Sequence, residues 1–144
     1  MEIEIQEGFD RIKVIIECPQ KTEDICRIEK SLCGFDQKLS CTKNDMTYLI
    51  DKQDILYFES VDKHCFLYTK NDFYETPLKL YEVEEMLAEM GFIRITKSQV
   101  LNIAKIESLC PDFGGRIEVV MENDYRLLVS RQYAKTLKKR IGLK

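Results

Sequence analysis

The sequence predicts a mostly β fold with α (α+β), in which short antiparallel sheets carry flanking helices. Three observations lead there. Apolar residues come in short runs, many alternating with polar ones, bounded by Asn-, Asp- and Gly-containing turns. Only three stretches recur at the three-and-four spacing of a helix face, and no solenoid period repeats. At 144 residues, 44% hydrophobic and 33% charged, with three prolines and six glycines, the chain has enough length for one ordinary core and a small appended unit.

Arg11–Glu17 (RIKVIIE) is β-branched and predicts a strand, ended by Cys18–Pro19. Thr22 predicts a helix cap, with Glu23 and Asp24 in the first turn, where the helix dipole favours negative charge. Ile25, Ile28 and Leu32 give that helix a narrow apolar face, and Gly34 stops it. Gln37–Cys41 and Met46–Ile50 then predict a hairpin around Lys43–Asn44–Asp45. Residues 1–45 thus read as a small acidic strand-helix-strand unit. At about 45 residues it is marginal alone and is expected to dock on the rest or to support self-association.

Residues 46–144 form the second unit. Strands are expected at Ile55–Glu59, His64–Tyr68 and Phe73–Thr76, the last two joined by a Lys70–Asn71–Asp72 turn. Thr76–Pro77 has a capping hydroxyl followed by proline, which predicts a helix start. Leu80, Val83, Leu87 and Met90 make its buried stripe, Glu82, Glu84, Glu85 and Glu89 its wet face, and Gly91 its end. Strands follow at Phe92–Ile95, Ile106–Cys110, Arg116–Met121 and Tyr125–Val129, with a short element at Val100–Ile103. Gly114–Gly115 and Glu122–Asn123–Asp124 supply turns. Ser130 caps a last helix, with Tyr133 or Ala134, Leu137 and Ile141 facing the protein and Lys135, Lys138, Lys139 and Arg140 facing outwards or flanking.

Several function classes are disfavoured. The apolar runs are far too short to cross a bilayer, and MEIEIQEGFD is acidic where a signal peptide is basic, so a soluble cytoplasmic protein is expected. The six cysteines, at 18, 26, 33, 41, 65 and 110, form no C-x-x-C pair, and His64 is the only histidine. Reduced, mostly buried thiols are expected, with no metal and no cofactor. His64 beside Cys65 does not make a catalytic pair, because adjacent strand residues point to opposite faces. With no glycine-rich phosphate loop and no paired-carboxylate helix, neither an enzyme nor a small-molecule substrate is expected.

Charge distribution is more telling than the net charge of −3. Residues 1–90 hold 11 basic and 20 acidic side chains, a difference of −9; residues 91–144 hold 11 basic and 5 acidic, a difference of +6. A phosphate backbone would be attracted to one end of such a field. Arg94, Lys97 and Arg131 lie among short strand-like segments there, followed by Lys138 and Lys139. Arg131, at a strand-to-helix junction, can reach a base edge while backbone donors at the helix start meet phosphate. Arg94 either contacts phosphate or pairs with Glu107. A second reading is a protein- or RNA-interaction module whose working surface is the acidic N-terminal unit.

Tyr57–Phe58–Glu59–Ser60, Leu78–Lys79–Leu80, the string FIRITKSQVLN over Phe92–Asn102, Ile106–Glu107–Ser108–Leu109 and Val129–Ser130–Arg131–Gln132–Tyr133 fall in the order of a known family. From about Met46 to Ile141 the chain resembles the LytTR-type DNA-binding domain. The resemblance implies an elongated, mostly β fold that sends loops from separate elements into successive major grooves of double-stranded DNA. Response regulators of this type bind promoter repeats that way. It places Lys97 where family members often have a groove-entering arginine or asparagine, and Arg131 at the other principal base contact. The loop Asp62–Lys63–His64–Cys65 matches a further DNA-facing loop, so Lys63 and His64 are candidates, while Asn102 matches a structural position. Thr96 stands where histidine is frequent, and Lys97 reads bases less specifically than arginine, which implies a shifted or relaxed preference. The first 45 residues are too few for a phosphoacceptor receiver domain. The layout is similar to stand-alone regulators of the family, expected to act as a homodimer on repeated sites, some with a membrane-protein neighbour.

Overall fold

Two tight turns with left-handed backbone set the first pairings of the sheet: Asn44–Asp45 (φ 51° and 64°) and Asp62–Lys63 (φ 49° and 68°). Positive φ at both central residues is the turn geometry whose twist matches that of the flanking strands. The computed structural model describes residues 1–35 and 38–143 and divides into two compact units, Met1–Cys33 and Gly34–Lys144.

In the first unit the strand expected at Arg11–Glu17 does not form. Among the described residues none pairs with it, and Ile12 and Ile15 are 96% and 70% exposed. β-branched residues favour an extended chain, but a strand needs a neighbour to take up its backbone groups and cover its side chains. Helix α1, Glu23–Phe35, begins where Thr22 predicts, with Cys26 N–H donating to Thr22 O at 3.1 Å, and ends one residue past Gly34. Ile25 and Ile28 are half-buried, while Leu32 remains 40% exposed.

The second unit opens with the predicted hairpin, β1 (Lys38–Lys43) and β2 (Met46–Asp51), in a register running from Lys38↔Asp51 to Lys43↔Met46. Gln37, placed in that hairpin from sequence, lies outside the described residues. Thr42↔Glu75 joins β1 to β5, so this hairpin is part of the main sheet. The other strands are β3 (Tyr57–Val61), β4 (His64–Tyr68), β5 (Phe73–Thr76), β6 (Phe92–Thr96) and β7 (Gln99–Asn102). They form an antiparallel sheet in the order β2-β1-β5-β4-β3-β7-β6. A second sheet, β10-β9-β8, comprises β8 (Ile106–Pro111), β9 (Ile117–Met121) and β10 (Arg126–Val129).

Alternation along the strands explains the layering. Tyr57, Ile93, Ile95 and Leu101 point to one face, where they pack with Ile117, Val119 and Met121 of the second sheet and with Ala134 and Leu137 of helix α3 (Arg131–Arg140). Phe58, Phe92, Val100 and Leu67 point to the other, against Leu80 and Val83 of helix α2 (Leu80–Met86). A sheet covered on both faces buries consecutive residues, which is why Ile55–Phe58 reads as an unbroken apolar run. Its aromatics are core: Tyr57 stacks on Tyr68 at 4.4 Å, and Phe58 meets Phe92 edge-on at 5.9 Å.

The start of α2 departs from expectation. Thr76 is a buried ladder residue opposite Cys65, and its hydroxyl accepts from Leu78 N–H at 3.3 Å. The helix therefore starts three residues beyond Pro77, and Glu82 Oε1 accepts from Lys79 N–H at 3.0 Å. It gives way to a tighter turn at Ala88–Met90, which leaves Met90 38% exposed although it was expected in the buried stripe. Gly91 ends that turn at φ 88°.

Candidate nucleic-acid interface

Sheet register determines which loops meet. Glu59 in β3 lies opposite Gln99 in β7, Val61 opposite His64, and Cys65 in β4 opposite Thr76 in β5. The β3–β4 turn, the β6–β7 turn and the end of β5 therefore leave from one end of the sheet. Ser60 N–H donates to Ser98 O at 2.8 Å, tying the first two together. The two turn tips lie about 10 Å apart, two strand spacings along the sheet. Helix α3 joins the same end because Ser130 N–H donates to Ile95 O at 2.9 Å. Lys63, His64, Lys97 and Arg131, separated by up to 68 positions in sequence, are thus brought to one rim.

The β6–β7 tip is built from its own side chains. Thr96 Oγ1 accepts from Ser98 N–H at 3.1 Å, across a register shift between Arg94 and Thr96. Arg94 braces it from below: Nε donates to Thr96 O at 2.8 Å, Nη2 to Lys97 O at 2.5 Å and Nη1 to Glu84 Oε2 at 2.9 Å. Its ion partner is Glu84 in α2, not Glu107, and its side chain is only 19% exposed. Strand alternation puts Arg94 on the same face as Phe92 and its partner Val100, the face that α2 covers, so the guanidinium meets Glu84 and not Glu107 in the second sheet. Lys97 stands exposed at the tip and, among the described residues, has no ion pair.

Arg131 is the first residue of α3 and is exposed. Ser130 occupies the cap position with extended backbone but makes no side-chain cap, leaving its hydroxyl uncommitted to the helix. At about 100° per residue, Lys135 and Lys139 continue one face from Arg131, with Lys138 on its border. Lys138 is accordingly half-buried and Lys139 exposed. The helix closes with Gly142 at φ 80°, Leu143 N–H donating to Lys138 O at 2.7 Å and Gly142 N–H to Lys139 O at 3.4 Å. This closure satisfies the last carbonyls, and the basic final turn complements the dipole.

Lys63 is exposed at the β3–β4 tip. His64 is committed sideways, its Nδ1 lying 2.6 Å from Glu75 Oε1 across β4–β5, although its side chain remains 62% exposed. Sequence reasoning missed Lys79 as a candidate. It is exposed just after the end of β5, on the same rim, and the signal available was a cation three residues past a strand end. Asn102 is internal: Nδ2 donates to Ile55 O at 2.9 Å and Oδ1 accepts from Ala104 N–H at 3.1 Å. No cluster of three metal-ligating side chains occurs among the described residues.

Residues 45–142 match the model of the LytTr DNA-binding domain family. The chain belongs to this family. Its LytTr domain superposes with TM-score 0.71 and 24% identity on a LytTr DNA-binding domain from Bacillus cereus, covering 75% of this chain and 99% of that one, which shows the shared fold. Sensory transduction protein LytT of Bacillus subtilis (strain 168) is 30% identical over 116 residues, 81% of this chain and 48% of its own. An uncharacterized HTH-type transcriptional regulator of Staphylococcus aureus (strain NCTC 8325 / PS 47) is 31% identical over 96 residues, 67% of this chain and 65% of its own. The chain therefore spans about half to two-thirds the length of these relatives. In the LytTr domain here, five strands separate α2 from α3, so these are not the adjacent helices of a helix-turn-helix. No described helix is long and apolar enough to cross a membrane.

Proposed function

We propose that this protein is a sequence-specific transcriptional regulator that reads repeated promoter sites on double-stranded DNA in the cytoplasm. The observation that carries the reading is the rim itself, where turns from separate elements present cations without protein partners beside a helix start. A two-stranded hairpin tip fits a major groove about 12 Å wide. Arg131 offers the planar fork that matches guanine O6 and N7, and Lys97 a point charge at the β6–β7 tip. Lys63 extends the footprint along the rim, with His64 beside it. Arg94 acts through the backbone of Lys97, which it holds. Lys138 and Lys139 meet phosphates and add affinity without sequence information.

Two copies bind a repeated site, with self-association supported by the N-terminal unit, whose Ile3, Ile5, Phe9 and Ile12 are exposed. The decisive test is selection of bound genomic fragments by purified protein at about 0.15 M salt, wild type against Arg131→Ala. A repeated motif enriched by wild type and lost by the variant is expected. Equal recovery of random fragments by both proteins would end the sequence-specific reading. Sedimentation on a tandem site tests the pairing; one copy per two half-sites would count against it.

A further inference from the structure

Arg131 has neither a hydrogen bond nor an ion pair among the described residues, yet its side chain is not unsupported. A Cβ placed on Gly115 would lie 3.3 Å from Arg131 Cγ, 3.6 Å from Cδ and 3.8 Å from Nε. The arginine stem therefore runs across the bare backbone of Gly115 in the β8–β9 loop. That loop is a braced shelf: Asp112 N–H donates to Arg116 O at 2.9 Å, Arg116 Nε donates to Phe113 O at 3.0 Å, and the Arg116–Asp112 ion pair closes at 3.2 Å. Its neighbour Gly114 has the same left-handed backbone, φ 70° against 81°, but a Cβ there would meet nothing within 4 Å. The two glycines answer the same turn requirement. Only one touches the arginine.

We infer that Gly115 is a positioning residue for DNA recognition: the absence of its side chain lets the β8–β9 loop hold the Arg131 stem in one direction before DNA arrives. The inference rests on Arg131 as a base-reading residue. A long cation aimed in advance loses less conformational freedom on binding than one free to sweep the solvent. A methyl 3.3 Å from Cγ makes the stem shift by a few tenths of an ångström and weakens that alignment while leaving the charge in place. The loop thereby joins the recognition machinery although it supplies no contacting charge of its own.

The paired glycines make the test specific, because either substitution strains the left-handed backbone and only one displaces the arginine. Gly115→Ala and Gly114→Ala, with Gly115→Asn and Gly114→Asn as versions that tolerate the backbone better, are titrated with the selected repeat and with random duplex of equal length. Thermal melts confirm that each variant is folded. The Gly115 variants are expected to weaken repeat binding roughly three- to tenfold beyond the matched Gly114 variants, with random-duplex affinity unchanged. In an Arg131→Ala background that extra loss should vanish. Equal effects at the two glycines, with Arg131→Ala still abolishing discrimination, would overturn the positioning role alone. An Arg131→Ala protein that discriminates as well as wild type would overturn both this role and the base-reading assignment beneath it.

Discussion

At the residue scale, what a cation faces matters more than its place in the charge count. Arg94, Lys105, Arg116 and Arg126 each face a carboxylate, Glu84, Glu122, Asp112 and Glu118 respectively. Lys97, Arg131, Lys135, Lys138 and Lys139 have no such partner among the described residues. The basic stretch singled out from composition, residues 91–144, is therefore part scaffold and part free charge, and a one-dimensional count cannot separate them. Cysteines divide in the same way. Cys18 and Cys110 are exposed, whereas Cys41 and Cys65 are buried. Burial pushes the Cys65 thiol up to about 11, so at pH 8 roughly a thousandth of it is thiolate, and His64 points away to Glu75. Alkylation at pH 8 followed by peptide mass spectrometry should label Cys18 and Cys110 quickly, and Cys41 and Cys65 only after denaturant. Rapid native labelling of Cys65 would show that the face between the main sheet and α2 opens.

At the element scale, the strands were legible because each carries its own punctuation. β4 and β5 begin and end where the turn residues around them indicate, and Gly114–Gly115 marks a real reversal. What was not legible depended on partners. Arg11–Glu17 has strand composition but no strand partner among the described residues, and Thr76 has a capping side chain but is held in a ladder. Alternation puts Arg94 on the face of Phe92, but that α2 and its Glu84 cover this face is tertiary information that residue spacing does not carry. Asn102 shows the reverse case, a polar residue whose structural role follows from the family pattern and is explained by its bonds. It is 3% exposed and ties the end of β7 to Ile55 O and Ala104 N–H. Asn102→Ala leaves both groups without that partner, which should cost about 2–4 kcal/mol. Urea unfolding should show a lower midpoint at unchanged slope. A loss below about 0.5 kcal/mol would mean that water replaces the amide.

At the scale of the whole molecule, a net charge of −3 does not stop a rim of unpartnered cations from meeting DNA, because opposing charges more than about 10 Å away are screened at 0.1 M salt. The relevant quantity is how many phosphates the free cations neutralise. Each contact contributes about −0.9 to the slope of log affinity against log salt. Lys138 and Lys139 sit on or beside the α3 face that continues from Arg131, and are proposed to contact phosphates. Replacing both with alanine should flatten that slope by about 1 to 2, weaken the selected repeat and random duplex alike, and leave their ratio unchanged. Arg131→Ala should do the opposite, collapsing the ratio by about ten- to a hundredfold with a slope change no greater than one contact. Fluorescence anisotropy titrations from 50 to 300 mM salt separate the two effects on one instrument. If the lysine pair changed the ratio instead, the last turns of α3, and not only its first residue and the hairpin tips, would be reading bases.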